Sequence, residues 1–181
     1  MPQNGGLPVF PSFDELLAGS SHSAVHLEMR DAYGVGGESS GFAHWVRTGE
    51  RDNDPNSDYW RDWVQQIRAS VDRGVVIRRA RIVSEPVTDY IRYEHGGTNV
   101  NIASGEEVRW LPRQQASDIA LPGNDFWVFD GKTVVFNHFT GSGDWAEPPK
   151  ELRTEPGVVA LCTSAFEAVW KRAIPHEKFS V

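Results

Sequence analysis

The segment that most constrains this chain is the run Phe126-Trp127-Val128-Phe129, then Asp130-Gly131, then Lys132-Thr133-Val134-Val135-Phe136. Both flanks are rich in β-branched and aromatic residues, which pack well on a pleated surface. Asp-Gly supplies the positive φ angles that a type I′ turn needs at its two central positions, and the twist of that turn matches the strands it joins. An antiparallel hairpin is predicted here, so any sheet that contains it is at least partly antiparallel.

Upstream the pattern changes. Over residues 57–73, Trp60, Trp63, Val64, Ile67 and Val71 recur three and four apart and Gly74 follows, which predicts an amphipathic helix with a stop. It leads at once into Val75 to Val83, a β-branched stretch, and a helix followed closely by a strand is an α/β unit. Within that strand Arg79 and Arg81 share one face and Arg78 points to the other. Val25, Leu27 and Met29 alternate with His26, Glu28 and Arg30 in a further strand from Ser23 to Tyr33. Ser12 to Leu17 reads as a short capped helix, and Phe42 to Val46 as another. Pro86 opens a helix that Gly96-Gly97 is expected to end. Glu107 to Leu111 is a short strand, Gly141 to Lys150 a loop, and 156–173 a final helix. The fold class expected is α/β (α+β), a mixed and largely antiparallel sheet flanked by helices. Residues 1–11, with three prolines and two glycines, read as a flexible N-terminal arm, and 12–181 as one globular domain.

Composition narrows the function classes. At 181 residues and 39% hydrophobic content the chain can bury a core without cross-links. Its single cysteine, Cys162, lies in an apolar run and is expected to be a buried hydrophobe. The N-terminus has neither a basic n-region nor an apolar h-region, and no stretch approaches the ~20 apolar residues of a membrane span, so a cytoplasmic protein is expected. A net charge of −7 disfavours direct nucleic-acid binding, which depends on cations displacing counterions.

Several motifs appear in part. Gly37-Glu38-Ser39-Ser40-Gly41 spells G-x-S-x-G between a strand and a helix, the setting of a nucleophile elbow, but His138 and His176 have no distinctive context as its partners. Asp52-Asn53-Asp54-Pro55-Asn56-Ser57-Asp58 imitates a calcium loop yet has Ser57 at the glycine position and Trp63 at the bidentate glutamate position. His22 and His26 would stand about 13 Å apart along a strand, too far to share a metal. No metal or cofactor is expected. Most aromatics sit at periodic core positions; Trp145, in a polar loop, is a candidate partner anchor. The remaining polar constellation is Glu85, Asp89, Arg92 and Glu94, with Arg79, Arg81 and Arg109 on nearby strands. It reads either as a small-molecule site or as a structural ion-pair network.

Arg81-Ile82-Val83-Ser84-Glu85-Pro86-Val87-Thr88-Asp89-Tyr90-Ile91-Arg92-Tyr93-Glu94, with the segments 105–113 and 125–130, resembles an uncharacterised actinomycete domain family often encoded beside helix-turn-helix regulators. The similarity spans residues 12–180. That family in turn resembles the sensor portion of certain regulators and, remotely, a phospholipase D-like half-domain. The resemblance implies a mixed sheet flanked by helices, and a regulatory role in transcriptional control through a helix-turn-helix partner or a small-molecule effector. Phospholipase D-like enzymes need H-x-K followed four residues later by Asp, for a phosphohistidine and a phosphate-holding lysine. The one H-x-K here is His176-Glu177-Lys178, and the sequence ends at Val181 before such an Asp. The expectation is therefore a non-enzymatic binding domain. The alternative is a small hydrolase using Ser39 or the carboxylates Glu85 and Asp89.

Overall fold

In a computed structural model, residues 10–34 and 36–181 are described, with side chains up to Gly34 and from Ser40 onward. The arm expected over residues 1–11 falls largely outside them. The predicted hairpin is present as β4 (Asp125–Phe129) and β5 (Thr133–Phe139), with Phe129 paired to Thr133. Asp130 and Gly131 take φ of 50° and 62°, as the turn requires, and Lys132 donates its N–H back to the Phe129 carbonyl at 3.0 Å. The Asp130 carboxylate has a second role. It accepts the backbone N–H groups of Ser21, His22 and Ser23 at 2.8–2.9 Å, tying the turn to the start of β1 (Ser23–Glu28).

That tie seats the hairpin beside β1, and β1 is also the edge of a parallel unit. β1 pairs in parallel with β2 (Val76–Val83), which pairs in parallel with β3 (Glu106–Pro112). With β6 (Trp145–Arg153) outside β5 and the two-residue β7 (Ile174–Pro175) outside β3, the seven-stranded order is β6-β5-β4-β1-β2-β3-β7. Four of the six pairings are antiparallel, so the mixed, largely antiparallel sheet is as expected.

Helices cover both faces. α5 (Pro156–Arg172) lies on one, where Phe166, Cys162 and Val169 meet Leu27, Ala80, Ile82 and Phe126. Cys162 is fully buried, and burial pushes its thiol up to about 11. On the other face lie α1 (Phe13–Gly19), α3 (Arg61–Asp72) and α4 (Asp89–Ser104), with α2 (Gly36–Thr48) beside α4. Ser12 and Glu15 form a reciprocal capping box at α1, which satisfies two otherwise unpaired donors. Since residues alternate along a strand, β2 sends Ala80 and Ile82 under α5 and Arg79 and Arg81 to the opposite face.

Two elements, β6 and α4, differ from expectation. Trp145 to Lys150, read as loop, belongs to β6, because β5 supplies a partner strand that local propensity does not register. α4 begins at Asp89 under a Thr88 cap rather than at Pro86, which follows a cis peptide. It also runs through Gly96-Gly97 to end at Gly105, whose φ of 109° makes it the stop. Gly97 is retained inside the helix for space: a Cβ there would collide with the Arg51 guanidinium.

Candidate functional site

The helix-covered face that carries Arg79 and Arg81 is not closed by apolar side chains alone. Between the sheet, α1, α3 and α4 lies a cavity of about 440 Å³. Its floor is polar: His26 and Glu28 from β1, Arg79 and Arg81 from β2, Glu94 and Asn101 from α4. Its walls are aromatic, with Trp60 and Trp63 from the α3 region and Trp127 and Phe129 from β4. Phe10, Tyr59 and Trp145, each 39–47% exposed, mark its open side.

The strand register builds the floor. In the parallel β1–β2 pair, His26 stands opposite Arg79 and Glu28 opposite Arg81. Glu28 accepts from Arg79 Nη1 at 2.7 Å and from Arg81 Nε. Arg81 also donates to Glu94 at 2.8 Å, and Arg79 to Glu106 at 3.1 and 3.3 Å. Asn101 donates to Glu106 at 3.2 Å, and Arg51 lies 3.6 Å from Glu94 while donating to the Tyr93 carbonyl at 2.6 Å. Two arginines thus alternate with three glutamates across three strands and a helix. Burial alone would raise the Glu28 carboxyl, but Arg81 and Arg79 hold it well below the usual carboxylate range. Burial likewise opposes the charge of each arginine, and their glutamates more than offset it.

The guanidinium groups also lie against rings. Arg79 sits 5.5 and 5.6 Å from the Trp63 and Trp127 centroids, Arg81 5.0 Å from Trp110, and Arg51 3.6 Å from Tyr93. His26 stacks on Trp127 at 4.2 Å. Neither of its ring nitrogens has a hydrogen-bond partner among the described residues, although Nδ1 stands 3.5 Å from Glu28 Oε1. Burial pushes its pKa down to about 3, with Arg79, Arg81 and Lys150 adding to the shift against Glu28. Trp63 Nε1 and Arg51 Nε are also buried without partners.

At the β4 end of the cavity, Asp125 accepts the Tyr33 hydroxyl and, at 2.9 Å, the Met29 N–H. Burial and Glu28 raise Asp125 to about 6 despite these bonds, and burial beside Asp125 pushes Tyr33 well above the ordinary phenol.

Of the residues singled out in the sequence, Arg79, Arg81 and Glu94 meet in the cavity floor and Trp145 lies at its mouth, stacked on Phe139 at 4.6 Å. Glu85 and Arg92 are exposed, and Asp89 has a 73% exposed side chain; none of the three lines the cavity. Arg109 is on the opposite face, donating to the Trp170 carbonyl under α5. Ser39 sits in the first turn of α2, eleven residues past the end of β1, and its side chain is outside the described set. The 52–58 segment is held by Trp60 Nε1 on the Asp52 carbonyl at 2.8 Å and by short turns at Asp52 and Asp54. His176 of the H-x-K is buried and accepts from Trp110 Nε1 at 3.1 Å.

His26, Glu28, Arg51, Glu106 and Lys150 did not stand out from the sequence as site residues. For His26 and Glu28 a signal exists: both faces of β1 are buried, so polar residues on either one need partners inside. Arg51, Glu106 and Lys150 are joined to the cavity by tertiary contacts with no local signature.

No curated protein matches the chain. Among solved structures, Nuc from Salmonella typhimurium, a phospholipase D family member, is 12% identical over 90% of this chain and 86% of its own, with a TM-score of 0.51. NucT from Helicobacter pylori is 10% identical over 90% and 87% of the two chains, with a TM-score of 0.48. The likeness to Nuc is one of fold and agrees with the phospholipase D-like architecture expected. No helix among the described residues is long and apolar enough to cross a membrane. The model of the family described as Domain of unknown function (DUF6879) matches residues 11–181, and the chain belongs to that family.

Proposed function

We propose that this chain is a non-enzymatic binding domain whose small-molecule ligand occupies the aromatic-walled cavity, serving as the effector-binding component of a transcriptional control system. The observation that carries the binding reading is the cavity itself, an aromatic-walled space of about 440 Å³ over a floor of mutually paired arginines and glutamates. His26 stacks on Trp127 and is kept neutral by burial, so it offers the cavity a hydrogen-bonding group and no charge. The arginines and glutamates around it are committed to one another, which suits a rigid, pre-formed recognition surface. The His26 nitrogens and Trp63 Nε1, buried in the cavity lining without hydrogen-bond partners among the described residues, are groups that a ligand or water can satisfy.

The regulatory part rests on the sequence resemblance, which points to a helix-turn-helix protein as partner. Thermal denaturation across a metabolite panel, with a pull-down from the native host, tests both parts. A ligand-induced rise in melting temperature supports binding, and recovery of a regulator supports the partner. Failure of both counts against the reading. The hydrolase alternative predicts fluorophosphonate labelling of Ser39, or activity lost in Glu85→Gln or Asp89→Asn. An unlabelled, folded protein sinks the serine version; Glu85 and Asp89 are exposed and outside the cavity, so the carboxylate version has no pocket around its acids.

A further inference from the structure

The charges around the cavity are unevenly paired, and the imbalance describes the occupant; the inference rests on the cavity being a binding site. Each acid in the wall is already engaged: Glu28 by Arg79 and Arg81, Glu94 by Arg81, and Asp125 by Tyr33 and the Met29 N–H. Of the lining cations, Arg51, Arg79 and Arg81 lie beside carboxylates, whereas the side chain of Lys150 has no ion pair or hydrogen bond among the described residues. Its Nζ stands 5.7 Å from the Trp145 ring at the mouth. Lys150 is paired directly with Asn137 across β5 and β6, and both line the cavity. Residues opposite one another in an antiparallel pair project from the same face, so the ammonium and the amide converge on one spot.

A cationic ligand finds no free carboxylate here and meets Arg51 and Arg79 already set against the tryptophan and tyrosine rings. A ligand with two or more negative charges would have one unpaired cation for them and three acids nearby. A single negative charge on an aromatic body satisfies both limits. We infer that the ligand is an aromatic carboxylate, its ring against the tryptophan wall and its carboxylate on Lys150 and Asn137. At about 440 Å³ the space suits one or two fused rings with a short acidic arm.

The test is calorimetric titration of the full chain with benzene, indole and naphthalene rings, each as carboxylate, carboxamide and methylammonium, against wild type and Lys150→Met. Lys150→Gln serves as a second variant, with melting temperature as the check on folding. At least one carboxylate is expected to bind about five- to tenfold more tightly than its amide, the range of one partly exposed charged hydrogen bond. In Lys150→Met that preference disappears, the carboxylate losing more affinity than its amide. An amide or ammonium that binds more tightly than its carboxylate, or a variant that keeps the preference, overturns the anion assignment and leaves cavity binding standing. Absence of binding by every ring in every charge form removes both.

Discussion

Arg79 Nη1 donates to Glu28 Oε1 at 2.7 Å from the neighbouring parallel strand, and both side chains are almost fully buried. Pairs of this kind are weak evidence for net stability, because desolvation offsets their attraction, but removing one partner strands the other charge. Glu28→Gln leaves Arg79 and Arg81 facing each other with half their acceptors neutralised. A loss of about 3–5 kcal/mol in urea denaturation is expected. A loss below about 1 kcal/mol would show that the network is solvated in solution.

His26 gives the network a pH signature. The folded imidazole takes a proton only near pH 3, against 6.5 for the unfolded one. Between those values the unfolded chain binds the extra proton, so the His26 contribution to stability rises with pH, by up to about 1.4 kcal/mol per unit. Asp125 acts in the opposite sense: its folded carboxyl, raised from 3.8 to about 6, keeps a proton that the unfolded one releases, so its contribution is lost as pH rises through that window. The stability difference between wild type and His26→Phe, followed by urea denaturation, should therefore shift in favour of wild type as pH rises from about 3 to 6.5. A difference independent of pH contradicts the buried neutral imidazole.

Gly97→Ala separates helix propensity from packing. Alanine inside a helix is favoured over glycine by about 1 kcal/mol. Here the new methyl would collide with Arg51, which caps the Tyr93 carbonyl and stands beside Glu94. A net loss of about 1–3 kcal/mol is expected from displacing that side chain. A gain would mean that Arg51 moves without consequence.

Asp130 tests the link between hairpin and site. Burial pushes its carboxyl up, but the N–H groups of Ser23, Ser21 and His22 together hold it below the ordinary value. Asp130→Gly keeps the positive φ while deleting those bonds, and Asp130→Ala loses both. Losses of about 1–3 kcal/mol for glycine and a larger one for alanine are expected in thermal unfolding. Equal effects would mean that the turn conformation contributes nothing.

How far these features are legible in the sequence depends on their range. The hairpin, α3, α5 and the shared face of Arg79 and Arg81 follow from local periodicity and turn chemistry, and the structure has them. The partners of those arginines do not follow. Glu28 reaches them through a parallel pairing that joins segments about fifty residues apart, and Glu106 and Arg51 arrive from still other elements. Glu85, Asp89, Arg92 and Glu94 are near one another in sequence, yet the helical turn that places Glu94 inward leaves Asp89 and Arg92 outside. β6 was hidden because its two prolines and acidic residues read as loop until β5 offers an edge.

The central claim is that the cavity binds a small molecule, and filling it is the most direct test. Asn137→Trp and, separately, Val135→Phe place bulk in the cavity from β5. The compound that most raises the melting temperature of wild type is then titrated against both variants by differential scanning calorimetry. At one hundred times its dissociation constant a ligand adds about 2.7 kcal/mol, or roughly 5–10 °C for a chain of this size. That rise is expected for wild type, and its loss in both folded variants. An equal rise in the filled variants would place the ligand elsewhere and contradict the claim.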